Sequence, residues 1–178
     1  SASLVGSEMC IRDSYEDALL WLESAGLIYR VFCTTKPFLP LKAYDDLSAF
    51  KVYLSDVGLL RELSGLPPEA IFLGNETYTE FKGAVAENYV LQSLAPQYDI
   101  LPRYWTSLGK AEVDFIIQSD SDIIPVEVKA QTRLGGKSLS VYDATYHPVC
   151  KLRYSLNNLK QDGTPVSYTH LRAHETSA

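Results

Sequence analysis

Four residues of this 178-residue chain have the types and spacing for metal-assisted cleavage of a phosphodiester: Glu87, Asp114, Glu127 and Lys129. Such a reaction needs hard oxygen ligands for Mg²⁺, usually two carboxylates completed by water and a phosphate oxygen. It also needs a group to orient the attacking water and a cation to stabilise the charge that develops on phosphorus. Asp114 and Glu127 meet the first demand as metal ligands, Lys129 the others, and Glu87 serves as an auxiliary ligand. Mg²⁺ or Mn²⁺ is the expected cofactor. Each residue also has a plainer reading: Glu87 as a glutamate at the margin of an apolar stripe, and Glu127–Lys129 as a surface ion pair of little energetic weight.

The elements that must position these residues follow from periodicity. Thr79–Ala95 (TEFKGAVAENYVLQSLA) is the longest helical pattern and stops at Pro96. Ala84, Glu87, Leu91 and Leu94 fall on one of its faces, which places a carboxylate in the apolar stripe. In AEVDFII, alternation puts Ala111, Val113, Phe115 and Ile117 on one side and Glu112, Asp114 and Ile116 on the other. In IIPVEVKA, Glu127 and Lys129 share a side opposite Val126, Val128 and Ala130. With these strands adjacent, Asp114, Glu127 and Lys129 are expected to meet on one sheet face. A strand at Asp99–Trp105 precedes them, and a helix over Ser138–Tyr146 and a strand over Val149–Leu156 follow. The order is α-β-β-β-α-β.

Upstream, Tyr15–Ala25 reads as a helix stopped by Gly26, and Leu27–Phe32 and Phe50–Leu54 as strands. Asp56 is placed to cap a short helix over Val57–Leu63, closed by Gly65 and Pro67-Pro68. Helix, strand, loop, strand suggests a small winged-helix-like element over residues 15–70, ahead of a nuclease-like domain over residues 71–164.

Both ends of the chain read as translated adapter DNA. Back-translated, Val166–Glu175 (VSYTHLRAHE) has a reverse complement that encodes Leu4–Asp13 (LVGSEMCIRD), so residues 1–14 and 165–178 are expected to lie outside the fold. Met9 is the sole methionine, and residues 15–164 are therefore expected to be an interior piece of a longer protein. Setting the ends aside leaves His147, Cys33 and Cys150 as the only histidine and cysteines, too few for a structural zinc site. The cysteines read as small core residues and His147 as a surface residue near a turn.

Charge is unevenly spread. Residues 15–100 carry a net −6, whereas residues 101–160 carry a net +2. With three carboxylates neutralised by metal, the second part could face phosphate. Gln131, Arg133 and Lys137 are candidates to touch a DNA backbone. Gly136-Lys137-Ser138 resembles the end of a phosphate-binding P-loop, but Gln131 stands where that motif requires glycine, so no ATP site is expected. Tyr104 and Trp105 are expected to pack at the sheet edge. Apolar runs are far short of a membrane span, and the low cysteine content without a secretory signal favours a cytoplasmic setting.

The segments ALLWLESAGLIYRV (18–31), KVYLSDVGLL (51–60), EFKGAVAENYV (80–90), YW (104–105), AEVDFII (111–117), IIPVEVKA (123–130) and KSLSVY (137–142) resemble the C-terminal region of bacterial and archaeal AAA-type ATPases called domain of unknown function 4143. That group belongs to the PD-(D/E)xK, restriction-endonuclease-like superfamily. The resemblance implies an α/β fold with a mixed sheet flanked by helices, and an N-terminal ATPase domain in the parent chain as partner. Two functional readings follow: a Mg²⁺-dependent module that cleaves DNA, or a non-catalytic module of the same fold that docks DNA or a partner. A structural or oligomerisation role is a third, which gives no reason to assemble three carboxylates and a lysine. The assembly state is open.

Overall fold

The computed structural model describes residues 15–65, 79–107, 111–130, 137–155, 161–162 and 166–170. Helix α1 covers residues 15–24 and turns at Gly26, whose φ of +70° suits a residue without a Cβ. Strand β1 (Ile28–Thr34) pairs antiparallel with β2 (Asp45–Leu54). Arg30 ties α1 to this pair: its guanidinium bonds Glu23 at 2.8 Å and Glu16 at 2.6 Å and lies over the Phe32 and Phe50 rings. Helix α2 (Val57–Ser64) begins where the Asp56 carboxylate accepts the Leu59 N–H and ends at left-handed Gly65. Helix α3 (Thr79–Leu94) carries Glu87.

Strands β3 (Arg103–Thr106), β4 (Glu112–Ser119) and β5 (Asp122–Lys129) run antiparallel in succession. Helix α4 (Lys137–Tyr146) crosses over to β6 (Lys151–Ser155), which lies parallel to β5. Two further strands, β7 (Gln161–Asp162) and β8 (Val166–His170), complete a mixed sheet in the order β2-β1-β3-β4-β5-β6-β8-β7.

Three features differ from the sequence expectation. First, β1 and β2 extend the main sheet, β1 joining β3 in parallel at Cys33↔Tyr104, where a small winged-helix-like element was expected. The reason is packing: Val31 and Tyr53 are buried in the same core as Val90, Phe115 and Val126. Second, β2 begins at Asp45, five residues before the expected Phe50, because the Asp45 carboxylate is held by Arg103 of β3 through two bonds of 2.7 and 2.8 Å. Third, the backbone of Val166–His170, in the segment read as adapter-derived, pairs parallel with β6. An open strand edge recruits extended backbone through main-chain bonds that depend little on side-chain identity.

A core lies on each side of the sheet. On the α3 side, Val90, Leu91 and Leu94 pack on Val31, Tyr53, Tyr104, Phe115, Ile117, Val126 and Val128. On the α4 side, Leu139 and Tyr142 pack on Leu41, Trp105, Val113 and Ile116. Trp105 meets the Tyr142 and Tyr146 rings edge-on at 5.2 and 5.6 Å. Tyr104 and Trp105 are thus central, one in each core, rather than at a sheet edge.

Candidate functional site

The site is organised by a break in β4. Simple alternation would place Val113 with Phe115 and Ile117, but Val113 lies in the α4-side core with Ile116, while Phe115 and Ile117 lie in the α3-side core. The pairing with β3 shifts between Arg103↔Ile116 and Trp105↔Val113, which marks a bulge spanning Asp114 and Phe115. A bulge inserts one residue on one strand and re-aims side chains locally.

Here it re-aims Asp114. The β4–β5 ladder ends at Phe115↔Val126, and past that point the Val128 N–H bonds the Asp114 Oδ2 at 2.7 Å. The carboxyl therefore bridges the fork where the two strands part. It is largely buried, and its acidity shifts accordingly. Burial first, then the nearby Glu87 charge, push its pKa from 3.8 up to about 7, against the opposing pull of the Val128 N–H, Lys129 and Lys51.

Glu87 enters from α3, half-buried. Its Oε2 accepts a 3.1 Å bond from the Tyr53 hydroxyl of β2 and stands 4.0 Å from Lys51 Nζ. Burial and the Glu87 charge drive the Tyr53 hydroxyl pKa well above its usual range, so this hydroxyl remains a donor. Lys51 also contacts Glu112 of β4 and lies over the Tyr104 ring, 5.1 Å from its centre. The expected face of α3 holds in part: Leu91 and Leu94 are buried and Glu87 half-buried, but Ala84 is exposed. The next residue, Asn88, is buried and clamps α3 to the end of β2, its amide bonding both the N–H and the C=O of Leu54 at 2.9 Å.

Glu127 has other company. Val126 and Val128 face the α3-side core, so alternation turns Glu127 and Lys129 to the opposite side. Glu127 is 1% exposed. Its Oε2 accepts 2.8 Å from Arg153 Nε of β6, the residue paired with it across the β5–β6 ladder. Its Oε1 lies 3.1 Å from Lys129 Nζ, a contact too poorly angled for a hydrogen bond, which leaves this buried oxygen without one. Lys129 thus stands between two carboxylates, touching Glu127 and acting on Asp114 through its charge.

The structure therefore sets Glu87 and Lys129 in electrostatic reach of Asp114, Glu87 from the α3 side of the sheet and Lys129 from the other, and seats Glu127 between Lys129 and Arg153. Among the described residues, no three His, Cys, Asp or Glu side chains stand close enough together to hold a metal ion. Glu87 and Asp114 are the two carboxylates whose charges act on each other here, and a hydrated hard divalent cation takes one or two carboxylates and keeps several waters. A cation would relieve the repulsion and desolvation that raise the Asp114 pKa.

Sequence reasoning did not single out Lys51, Tyr53 or Arg153. The K-x-Y spacing on β2 shows that Lys51 and Tyr53 share a side, but not what they face. Of the candidate DNA-contacting residues, Lys137 is exposed at the start of α4, whereas Gln131 and Arg133 lie outside the described residues. His147 is exposed, and Cys33 and Cys150 are half-buried thiols. Among the described residues, no helix is long and apolar enough to cross a membrane.

The model of a domain of unknown function (DUF4143) matches residues 82–168, in agreement with the resemblance drawn from the sequence, and that of a second domain of unknown function (DUF8612) matches residues 6–70. No curated protein and no solved structure matches the chain. Glu87, Asp114, Glu127 and Lys129 fall in the first matched span, Lys51 and Tyr53 in the second.

Proposed function

We propose that this chain carries a Mg²⁺- or Mn²⁺-dependent phosphodiesterase module of restriction-endonuclease-like topology that acts on DNA, in a parent chain with an N-terminal AAA-type ATPase domain. The observation that carries this reading is the half-buried Asp114 carboxyl, fixed by the Val128 N–H at the fork between β4 and β5, with the Glu87 and Lys129 charges in electrostatic reach. Scaffolding gives no reason to bring a helix carboxylate into electrostatic reach of one set in a fork between strands, because poorly solvated charge is costly.

In this reading Glu87 and Asp114 hold the cation, which when bound supplies Lewis acidity to a phosphate oxygen and lowers the pKa of water. The Val128 N–H fixes the Asp114 carboxyl, and the Tyr53 hydroxyl fixes that of Glu87. Lys129, its side chain 31% exposed, offers the charge that orients water and steadies the developing anion. Glu127 holds Lys129 in place from the other side, itself neutralised by Arg153. Gln131, Arg133 and Lys137 follow β5 directly in sequence and supply backbone contacts to DNA.

A second reading, a non-catalytic DNA- or partner-binding module of the same family, is favoured by the confinement of Glu127. A carboxylate held by two cations is a poorer metal ligand than an open one.

Cleavage of supercoiled plasmid and branched DNA by the full-length parent, with Mg²⁺ or Mn²⁺, separates the two. The nuclease reading predicts cleavage that disappears in both Asp114→Asn and Lys129→Ala. Cleavage surviving in both variants would refute the site, and metal binding without any cleavage would select the second reading.

A further inference from the structure

Strand β2 ends the sheet, and among the described residues no strand pairs with its outer side. Its hydrogen-bonding phase fixes which main-chain groups lie open there. In an antiparallel ladder, opposed residues alternately exchange two main-chain bonds and none. The Ser55 N–H bonds the Leu27 C=O at 2.9 Å, so the adjoining pair Ile28↔Leu54 is of the second kind. Leu54 accordingly turns both its groups outward, where the Asn88 amide takes each at 2.9 Å. The same phase turns the N–H and C=O of Val52 and Phe50 outward, and no described residue answers these as Asn88 answers Leu54. Beside this edge a hollow of about 420 Å³ opens between β2, α2 and α3, lined by Lys51, Tyr53, Leu60, Ala84, Glu87 and Asn88.

These groups limit what the place can accept. A donor and an acceptor on every second residue of a strand are matched by extended polypeptide. A nucleic-acid backbone carries acceptors but no N–H, and leaves the outward carbonyls unanswered. A second copy's β2, set antiparallel about Val52, would bring its Phe50 onto the Leu54 groups that Asn88 already holds. A register moved away from Leu54 runs into residues 47–49, where β2 bulges out of step with β1 and the Ser48 N–H and hydroxyl bond the Asp46 carboxylate at 3.0 and 2.6 Å. On the side of the sheet away from the hollow, Val52 is 47% exposed, an apolar surface directly beside the open groups.

We propose that the outer edge of β2, between Leu54 and the bulge, is an acceptor site for a short extended segment of a partner protein that is apolar at successive positions. The segment adds to the sheet as a further strand and exchanges main-chain bonds with Val52 and Phe50. Its residue opposite Val52 lays a side chain on the Val52 isopropyl group. The next residue turns to the other side of the sheet and fills the hollow against Leu60 and Ala84. Asn88 marks one end of the added strand and the bulge the other. The site uses neither Asp114 nor Lys129 nor a cation, so it stands or falls apart from the phosphodiesterase reading.

The probe is a fluorescein-labelled peptide, Gly-Ser-Leu-Val-Leu-Ser-Gly, with two controls: the same sequence N-methylated throughout, and the polar Gly-Ser-Ser-Thr-Ser-Ser-Gly. Anisotropy with the full chain reads affinity, and amide hydrogen exchange reads the place of binding. Val52→Pro removes the outward N–H without breaking a bond to β1, as proline is tolerated on an edge strand. Ala84→Leu fills the hollow, and thermal melts check that each variant is folded. The expected result is that the wild type binds the apolar peptide and both controls bind about tenfold more weakly or not at all. The bound peptide slows exchange at the Val52 and Phe50 amides. Each variant weakens binding about tenfold or more, the worth of one main-chain bond or of a displaced apolar side chain. A wild type that binds none of the peptides overturns the proposal, and so does equal binding of the N-methylated twin. So does binding undiminished in either folded variant, or binding that leaves exchange at Val52 unchanged.

Discussion

Replacing Asp114 by Asn should stabilise this protein at pH 8 and by less than half as much at pH 5. Asn keeps an oxygen to accept the Val128 N–H and removes only the charge. In the folded chain the carboxyl titrates near 7, raised from 3.8. Between those values the native state holds a proton that the unfolded chain has released, so stability falls as pH rises through this window. Above about pH 7 both states are ionised and the full penalty is present. Each tenfold change in proton affinity is worth about 1.4 kcal/mol, so the penalty is about 4 kcal/mol at most, reduced by whatever water reaches the fork. For a chain of this size, about 2–4 °C per kcal/mol converts half to all of that into a melting rise between about 4 and 16 °C. Thermal melts of both proteins at pH 5 and pH 8 measure it. Mg²⁺ at pH 8 should raise the wild type toward the variant and leave the variant unmoved, because ligand binding to the native state alone is stabilising. A variant no more stable than wild type at pH 8, or equally stabilised at both pH values, would refute the claim that Asp114 is a desolvated charge beside a like one.

Three other perturbations address what surrounds the site. Asp45→Ala leaves the Arg103 guanidinium, 6% exposed, without its two-bond partner; urea denaturation should show a loss of about 3–5 kcal/mol. Asn88→Ala removes both bonds that hold α3 to Leu54. It should cost about 2 kcal/mol and speed hydrogen exchange at the Leu54 amide in particular. Arg153→Met strands the buried Glu127 on one cation. It should destabilise the chain by about 3 kcal/mol, and adding Glu127→Gln should recover part of the loss, a positive coupling readable in a double-mutant cycle.

Much of the architecture was legible because local signals were strong. Asp56 and Gly65 bracket α2 by capping chemistry that needs no tertiary context, and the α3 pattern runs sixteen residues before Pro96. β4 and β5 alternate clearly on either side of a tight turn at Asp120, which takes a φ of +49°. The rest depended on contacts that sequence does not encode locally. The bulge at Asp114–Phe115 is one extra residue opposite Tyr104; alternation cannot count it, so the sides of Val113 and Phe115 came out merged. Glu127 meets Arg153 only because α4 carries the chain over to lay β6 beside β5. The early start of β2 in DDLSAF defies strand propensity and depends on Arg103, 58 residues away. Lys51 and Tyr53 could be paired with each other by spacing, but their partners Glu87 and Glu112 lie on α3 and β4.

Mn²⁺ binding followed by electron paramagnetic resonance on wild type, Asp114→Asn and Glu87→Gln bears most directly on the two-carboxylate site. One Mn²⁺ per wild-type chain, lost in both folded variants, is the predicted result. Contradiction would come from a wild type that leaves the Mn²⁺ spectrum that of the free ion, or from a bound ion that persists undiminished without Asp114.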